Sequence, residues 1–120
     1  MTEQTDTKTP AKKPGRRADP ASALFAQVKA ARKAYAGLAM PIAGGHHPHK
    51  GRAHHEREAN RWRAADAARK YDGVPGWDSA LLAEAYRTLA EPDAGAIRTG
   101  LVRLAAIAIS AADSLAEEAA

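Results

Sequence analysis

Residues 77–108 read WDSALLAEAYRTLAEPDAGAIRTGLVRLAAIA, and this stretch decides the fold. Leu81, Leu82, Ala85, Tyr86 and Leu89 recur at helical spacing, which predicts a helix with one inward face ending at about Ala90. Asp78 or Ser79 is the expected cap at its start. Glu91-Pro92-Asp93 reads as the turn, because proline cannot continue the first helix and Asp93 suits the N-cap of the next. Ile97, Leu101, Leu104, Ala105, Ala108, Ala112 and Leu115 give that second helix a wide apolar face. So short a turn makes the two helices antiparallel neighbours. Gly100 costs about 1 kcal/mol relative to alanine inside a helix, so a particular reason for it is expected.

Upstream, Gly73-Val74-Pro75-Gly76 is a breaker. Before it the pattern predicts a helix from near Arg52 to Asp72-Gly73, burying Ala59, Trp62, Ala65 and the stem of Arg69. Pro41 to Gly51, rich in Gly, Pro and His, reads as a loop. Asp19-Pro20 reads as a helix start, and Leu24, Val28, Ala31, Tyr35 and Leu38 form one face of a helix ending near Ala39. Residues 1–18 carry no hydrophobic period and too little apolar area to offset ordering entropy, so they are expected to be a disordered basic tail. No strand pattern competes. The expectation is an all-α protein: a small bundle of about four helices, with an antiparallel C-terminal pair, in one domain over residues 19–120.

Apolar residues make up 45% of the chain, but aromatics only 5%, and alanine supplies much of the remainder. Alanine buries little area, so the core rests on a few large residues. These are Leu24, Phe25, Tyr35, Leu38, Trp62, Tyr71, Trp77, Leu81, Leu82, Tyr86, Leu89, Ile97, Leu101, Leu104, Ile107 and Leu115. A core that thin predicts a homo-oligomer, most simply a helical dimer. The absence of cysteine excludes disulfides, thiolate metal sites and a cysteine nucleophile. Leu101 to Ile109 is apolar but short and interrupted by Arg103, and no segment reads as the roughly 20 apolar residues that span a bilayer. A cytoplasmic protein with no membrane partner is expected. The net charge of +4 is unevenly spread. Met1 to Asp72 holds fifteen Lys or Arg against seven Asp or Glu, and Gly73 to Ala120 three against seven. The basic half invites polyanions, and the two halves attract one another between subunits.

Residues 77–118 resemble the C-terminal half of the MazG-like nucleotide pyrophosphohydrolases of actinobacteria and their phages. In that family a tryptophan precedes a helix of the form I-L-x-E-E-V-x-E-A-L-A-E. An S-D-P turn follows, then a helix of the form L-R-x-E-L-V-Q-V-A-A-V-A. The two align without a gap. The family gathers carboxylates from neighbouring helices around Mg²⁺, which bridges the substrate's phosphates. Against that pattern the paired glutamates are Ala83 and Glu84 here, the glutamate three residues on is Arg87, and that of the next helix is Gly100. A polar residue one turn later is Arg103. Only Glu84 is kept. The resemblance therefore implies a degenerate, catalytically inactive member, with no cofactor unless Mg²⁺-dependent hydrolysis survives. Glu84, Arg87 and Arg103 then become an anion or nucleotide site, since guanidinium groups bind phosphate without a metal.

Two further constellations stand out. His46, His47, His49, His54 and His55 fall within ten residues and are candidate ligands for Zn²⁺, Ni²⁺ or Cu²⁺, although a Gly-rich loop fixes no geometry. Lys12, Lys13, Arg16 and Arg17 in the tail, with Arg57 and Arg61 on the second helix, are candidate nucleic-acid contacts through phosphate charge. The expected role is binding of a nucleotide, a nucleic acid or a protein partner. An active metal-dependent nucleoside triphosphate pyrophosphohydrolase and a non-specific nucleic-acid binder are the alternatives.

Overall fold

The computed structural model describes residues 21–119, with side chains as far as Leu115. The basic tail, including Lys12, Lys13, Arg16 and Arg17, and the Asp19-Pro20 helix start lie outside the described residues. Among those described, the chain is all-α: α1 (Ser22–Ala31), α2 (Pro48–Tyr71), α3 (Trp77–Ala90) and α4 (Ala94–Ala119), with no strand. α3 is the middle element. It packs on α2 and on α4, which make no close backbone approach to each other, while α1 lies against α4 alone.

The α3–α4 hairpin forms as its sequence predicts. The Asp93 carboxylate accepts the Ala96 N–H at 2.9 Å and its carbonyl accepts the Ile97 N–H, which caps α4. Thr88 faces Gly100, Glu84 faces Arg103, and Ala80 borders the same groove as Ile107. Numbers that fall along α3 rise along α4, so the pair is antiparallel. Gly100 now has its reason. A Cβ there would lie 2.8 Å from Thr88 Cγ2 and 3.0 Å from Thr88 Cβ, so only glycine admits this crossing. Gly100 and Thr88 are both buried.

α2 begins at Pro48, four residues before the expected start near Arg52, so His49 and Gly51 are helical and not part of the loop. Proline lacks the N–H that the first helical position leaves unused and already has a helical φ, so it opens a helix well. At the other end Gly73 adopts φ +76, and its N–H reaches the Lys70 carbonyl while that of Val74 reaches Arg69. These two bonds close the helix in a Schellman motif. Ala59 is buried and Trp62 and Ala65 are half-buried against α3, on the expected face.

α1 departs from expectation. It ends at Ala31, tightens into a 3-10 turn over Arg32–Tyr35, and stops where Ala36 is extended and Gly37 takes φ +80. Its apolar face is largely uncovered: Leu24 is half-buried, but Val28, Tyr35 and Leu38 are exposed. Phe25, Trp77, Leu101 and Leu115 are exposed as well, and Tyr71 is 92% exposed. Of the anticipated core, Leu24, Trp62, Leu81, Leu82, Tyr86, Leu89, Ile97, Leu104 and Ile107 are half-buried, and the others stay exposed among the described residues, where α1 has only α4 to pack on. The most enclosed of the described positions carry small residues: Ala59, Ser79, Thr88 and Gly100.

α4 corrects a second expectation. Ala94–Leu115, with mean hydropathy 1.4, is long and apolar enough to cross a membrane by length and composition, and 6% of the span is buried. Repeated alanines raise the average although each contributes little transfer free energy, so a reading based on large residues passed over it.

Candidate functional site

Because α3 lies between two helices, side chains on its exposed edge meet both. Glu84, Arg87, Thr88 and Glu91 follow at three-, one- and three-residue steps, which sets them along one strip of the helix. The Glu84 side chain is 14% exposed, and its Oε2 accepts from Thr88 Oγ1 at 3.1 Å and from Arg103 Nε at 3.4 Å. Arg87 Nη2 stands 3.8 Å from the same oxygen, while Arg87 Nη1 reaches Glu91 Oε2 at 3.4 Å. Glu84, Arg87 and Arg103 therefore come together, with Arg103 crossing from α4. Both guanidiniums are a little under half exposed, so each ion pair contributes well under about 1 kcal/mol. What the cluster does is fix direction: Glu84 holds Arg103 against α3, and Arg87 stays poised between two acids.

Two hollows flank Arg87. One, of about 520 Å³, lies between α2 and the end of α3 and is lined by His49, Arg52, Glu56, Asn60 and Glu91 among others. The second, of about 310 Å³, runs over α3 between α2 and α4, with Asp66, Lys70, Ala83, Glu84 and Ile107 on its walls. Ala59, Arg63 and Arg87 border both. Each hollow sets three cations against two carboxylates: Arg52, Arg63 and Arg87 against Glu56 and Glu91, then Arg63, Lys70 and Arg87 against Asp66 and Glu84. Lys70 is engaged by Asp66 at 2.9 Å. Arg63 has no acidic partner among the described residues, which leaves its five donors free for a ligand.

Beneath the second hollow, the buried Ser79 hydroxyl donates to Asp66 Oδ1 at 2.7 Å and so ties α2 to the start of α3. Lys70 and Ser79, both donating to Asp66, hold its carboxyl below the usual carboxylate range against the opposing cost of burial, with the positive charge of Lys70 and Arg69 adding a lesser share. Nearby, Arg69 donates to Asp78 at 3.1 Å, and Arg61 and Arg69 lie over the Trp62 ring at 5.4 and 5.8 Å from its centre.

Thr88 fills the space that a side chain at position 100 would need, so a glutamate has no room there, and Glu84 is already engaged by two arginines. Nor do the five histidines gather. His47 and His49 meet edge to face at 6.4 Å between ring centres. His54 and His55 pack near Tyr86, at 6.3 and 5.8 Å, with the Nδ1 of His55 buried and unpartnered among the described residues. The early start of α2 places His49, His54 and His55 on a helix, where adjacent residues diverge by about 100°. Among the described residues no three His, Asp or Glu side chains lie as a shared metal ion requires.

Of the described nucleic-acid candidates, Arg61 is paired with Glu58 at 2.9 Å and stacked on Trp62. Arg57 is exposed. Helical geometry turns both away from Ala59 and hence from the hollows.

Arg52, Arg63, Asp66 and Lys70 were not expected at the site. A signal exists: Arg52, Glu56, Ala59, Arg63, Asp66 and Lys70 follow at spacings of four, three, four, three and four. That is one continuous face, hidden from a search for apolar periodicity because five of its six members are charged. Comparison with known proteins adds nothing to the geometry: no family model, curated protein or solved structure matches the chain.

Proposed function

We propose that the protein is a metal-independent binding module for a phosphorylated ligand, most simply a nucleotide, seated where the two hollows meet at Arg63 and Arg87. The observation that carries the proposal is that these arginines, from different helices, border both hollows above the small Ala59. Two planar guanidiniums facing one space suit the bidentate capture of phosphate oxygens. Arg103 acts at one remove, holding Glu84 so that Arg87 is not fully neutralised. The MazG-like pattern of residues 77–118 supports a nucleotide over other anions, and the single remaining acid supports loss of hydrolysis. A cytoplasmic setting goes with such a ligand.

The test is calorimetry and thermal denaturation in EDTA with nucleoside triphosphates, pyrophosphate and inorganic phosphate. Stabilisation is expected with at least one of them, and its loss in Arg63→Ala and in Arg87→Ala. No shift with any phosphorylated ligand would sink the proposal. Mg²⁺-dependent release of pyrophosphate, abolished in Glu84→Ala, would instead establish an active pyrophosphohydrolase. The excess of basic residues in the first half supports a nucleic-acid reading as well. It requires binding to DNA or RNA that weakens steeply with salt and on removal of residues 1–18.

A further inference from the structure

Among the described residues α2 packs on α3 alone, which leaves its outer side without a neighbouring helix. Lys50, His54, Arg57, Arg61, Ala64 and Ala68 follow at spacings of four, three, four, three and four, which sets them on one face. All six are exposed, and the exposed Tyr71 continues the row. Helical geometry places this face opposite Ala59 and Asp66, which are turned to α3 and the hollows.

The charge of α2 is sorted between its two sides. The helix holds seven Lys or Arg against three Asp or Glu, and none of the three acids stands on the outer row. Glu56 borders the first hollow and Asp66 the second. Glu58, beside the row, reaches one Nη of Arg61 at 2.9 Å and leaves that arginine's side chain 68% exposed. Lys50 and Arg57 have no acidic partner among the described residues. Lys50 also stands in the first turn, where the helix dipole adds positive potential, and Asp72 follows only past the far end of the row.

We propose that this face of α2 docks on double-stranded DNA, gripped through its phosphates; the inference rests on the nucleic-acid reading above and gives it a surface. A row of cations with no acid among them is complementary to a polyanion, and each contact gains from counterion release. Ala64 and Ala68 keep the rest of the row low, so the helix can come close. A helix about 10–12 Å across fits the major groove of B-form DNA, about 12 Å wide. In duplex RNA that groove is too deep and narrow to be read. A single strand calls for aromatic side chains between the cations, whereas Tyr71 stands about 15 Å along the helix from Arg61. An anionic bilayer calls for large apolar side chains on the docking face, where this row has alanine.

Fluorescence anisotropy of the full chain with a labelled DNA duplex, read across a salt series, tests the surface. Affinity is expected to fall steeply with salt, and Lys50→Ala and Arg57→Ala each to flatten the slope of log affinity against log salt by about one. Ala64→Glu sets an acid inside the row at an exposed position, and is expected to weaken duplex binding about tenfold with helical circular dichroism kept. Binding indifferent to all three changes but lost on removal of residues 1–18 would overturn this surface and keep the nucleic-acid reading. No binding to any nucleic acid at low salt would sink both. Equal affinity for the separated strands, or for duplex RNA of the same sequence, would overturn the choice of duplex DNA. Flotation with phosphatidylcholine–phosphatidylglycerol vesicles, lost in Ala64→Glu, would assign the face to lipid instead.

Discussion

The two sides of α3 and the outer side of α4 are built from opposite materials. Around α3 the enclosed residues are small or polar: Ala59, Ser79, Thr88 and Gly100, with Asp66 and Glu84 bonded beside them. The outer side of α4 and most of α1 are apolar, yet open. Burial of large apolar area is the usual source of stability, but here close approach and satisfied hydrogen bonds locate the helices, and many of the large side chains stay exposed among the described residues. Specificity of packing resides in the first region and unspent hydrophobic free energy in the second.

The largest effect is expected at the tightest contact. Gly100→Leu forces a branched side chain into Thr88 at the α3–α4 crossing, and overpacking of this kind costs about 3 kcal/mol. Thermal denaturation should show a fall in Tm on the order of 10 °C or more. Gly100→Ala sharpens the point, because its gain in helix propensity is opposed by the same clash. Trimming Thr88 to alanine in the same chain should recover stability relative to Gly100→Ala alone. A coupling near zero in that double-mutant cycle would mean the two helices do not cross at this point.

The second effect lies across α3. Asp66→Asn leaves the buried Ser79 hydroxyl with a weaker acceptor and releases Lys70, and should cost about 1–2 kcal/mol at neutral pH. The sign of its pH dependence follows from the lowered pKa of Asp66. A carboxyl with a folded-state pKa below its unfolded value stabilises the fold above the unfolded pKa, near 3.8, and loses that contribution as pH falls through the folded one. Urea denaturation should therefore separate wild type from Asp66→Asn at neutrality and bring them together in acid as pH falls through the folded-state pKa. A gap that held constant into acid would show that the carboxylate charge plays no part.

The hairpin and the end of α2 were legible in the sequence because they depend on local rules: Pro92 ends α3, Asp93 caps α4, and Gly73 closes α2. The α1 face at Val28, Tyr35 and Leu38 was legible as an apolar surface, but periodicity does not say what packs on it, and among the described residues it stays exposed. Gly100 was recognisable as an oddity and explicable only once Thr88 stood opposite it. At the site, Glu84, Arg87 and Arg103 could be grouped only through the resemblance of residues 77–118 to the MazG-like helix pair. Arg63 could not, since its place beside Arg87 depends on how α2 lies on α3, a long-range packing that no local pattern encodes.

Arg103→Ala should have a smaller effect than either interface change. It removes one half-exposed ion pair and, among the described residues, the one side chain that carries charge from α4 to Glu84, so a loss of well under about 1 kcal/mol is expected. Its informative readout is ionic strength. The difference from wild type should shrink as salt screens the pair, and a large, salt-insensitive loss would mean that Arg103 packs against α3 through its stem.

The smallest effect on stability is expected at Arg63, and there its value as a test is greatest. Arg63 is exposed and has no acidic partner among the described residues, so Arg63→Ala should leave stability within about 0.5 kcal/mol of wild type. If the hollows on either side of it hold a phosphorylated ligand, the same change removes a guanidinium from the site and weakens that ligand tenfold or more, about 1.4 kcal/mol. A residue that matters for a ligand and not for the fold is the signature of a site, whereas one that matters for neither is merely solvated charge. Parallel loss of stability and affinity in Arg63→Ala would place it in the packing of α2 on α3. Unchanged affinity would remove Arg63 from the site and leave Arg87, itself shared with Glu84 and Glu91, too weak an anchor to hold a phosphate alone.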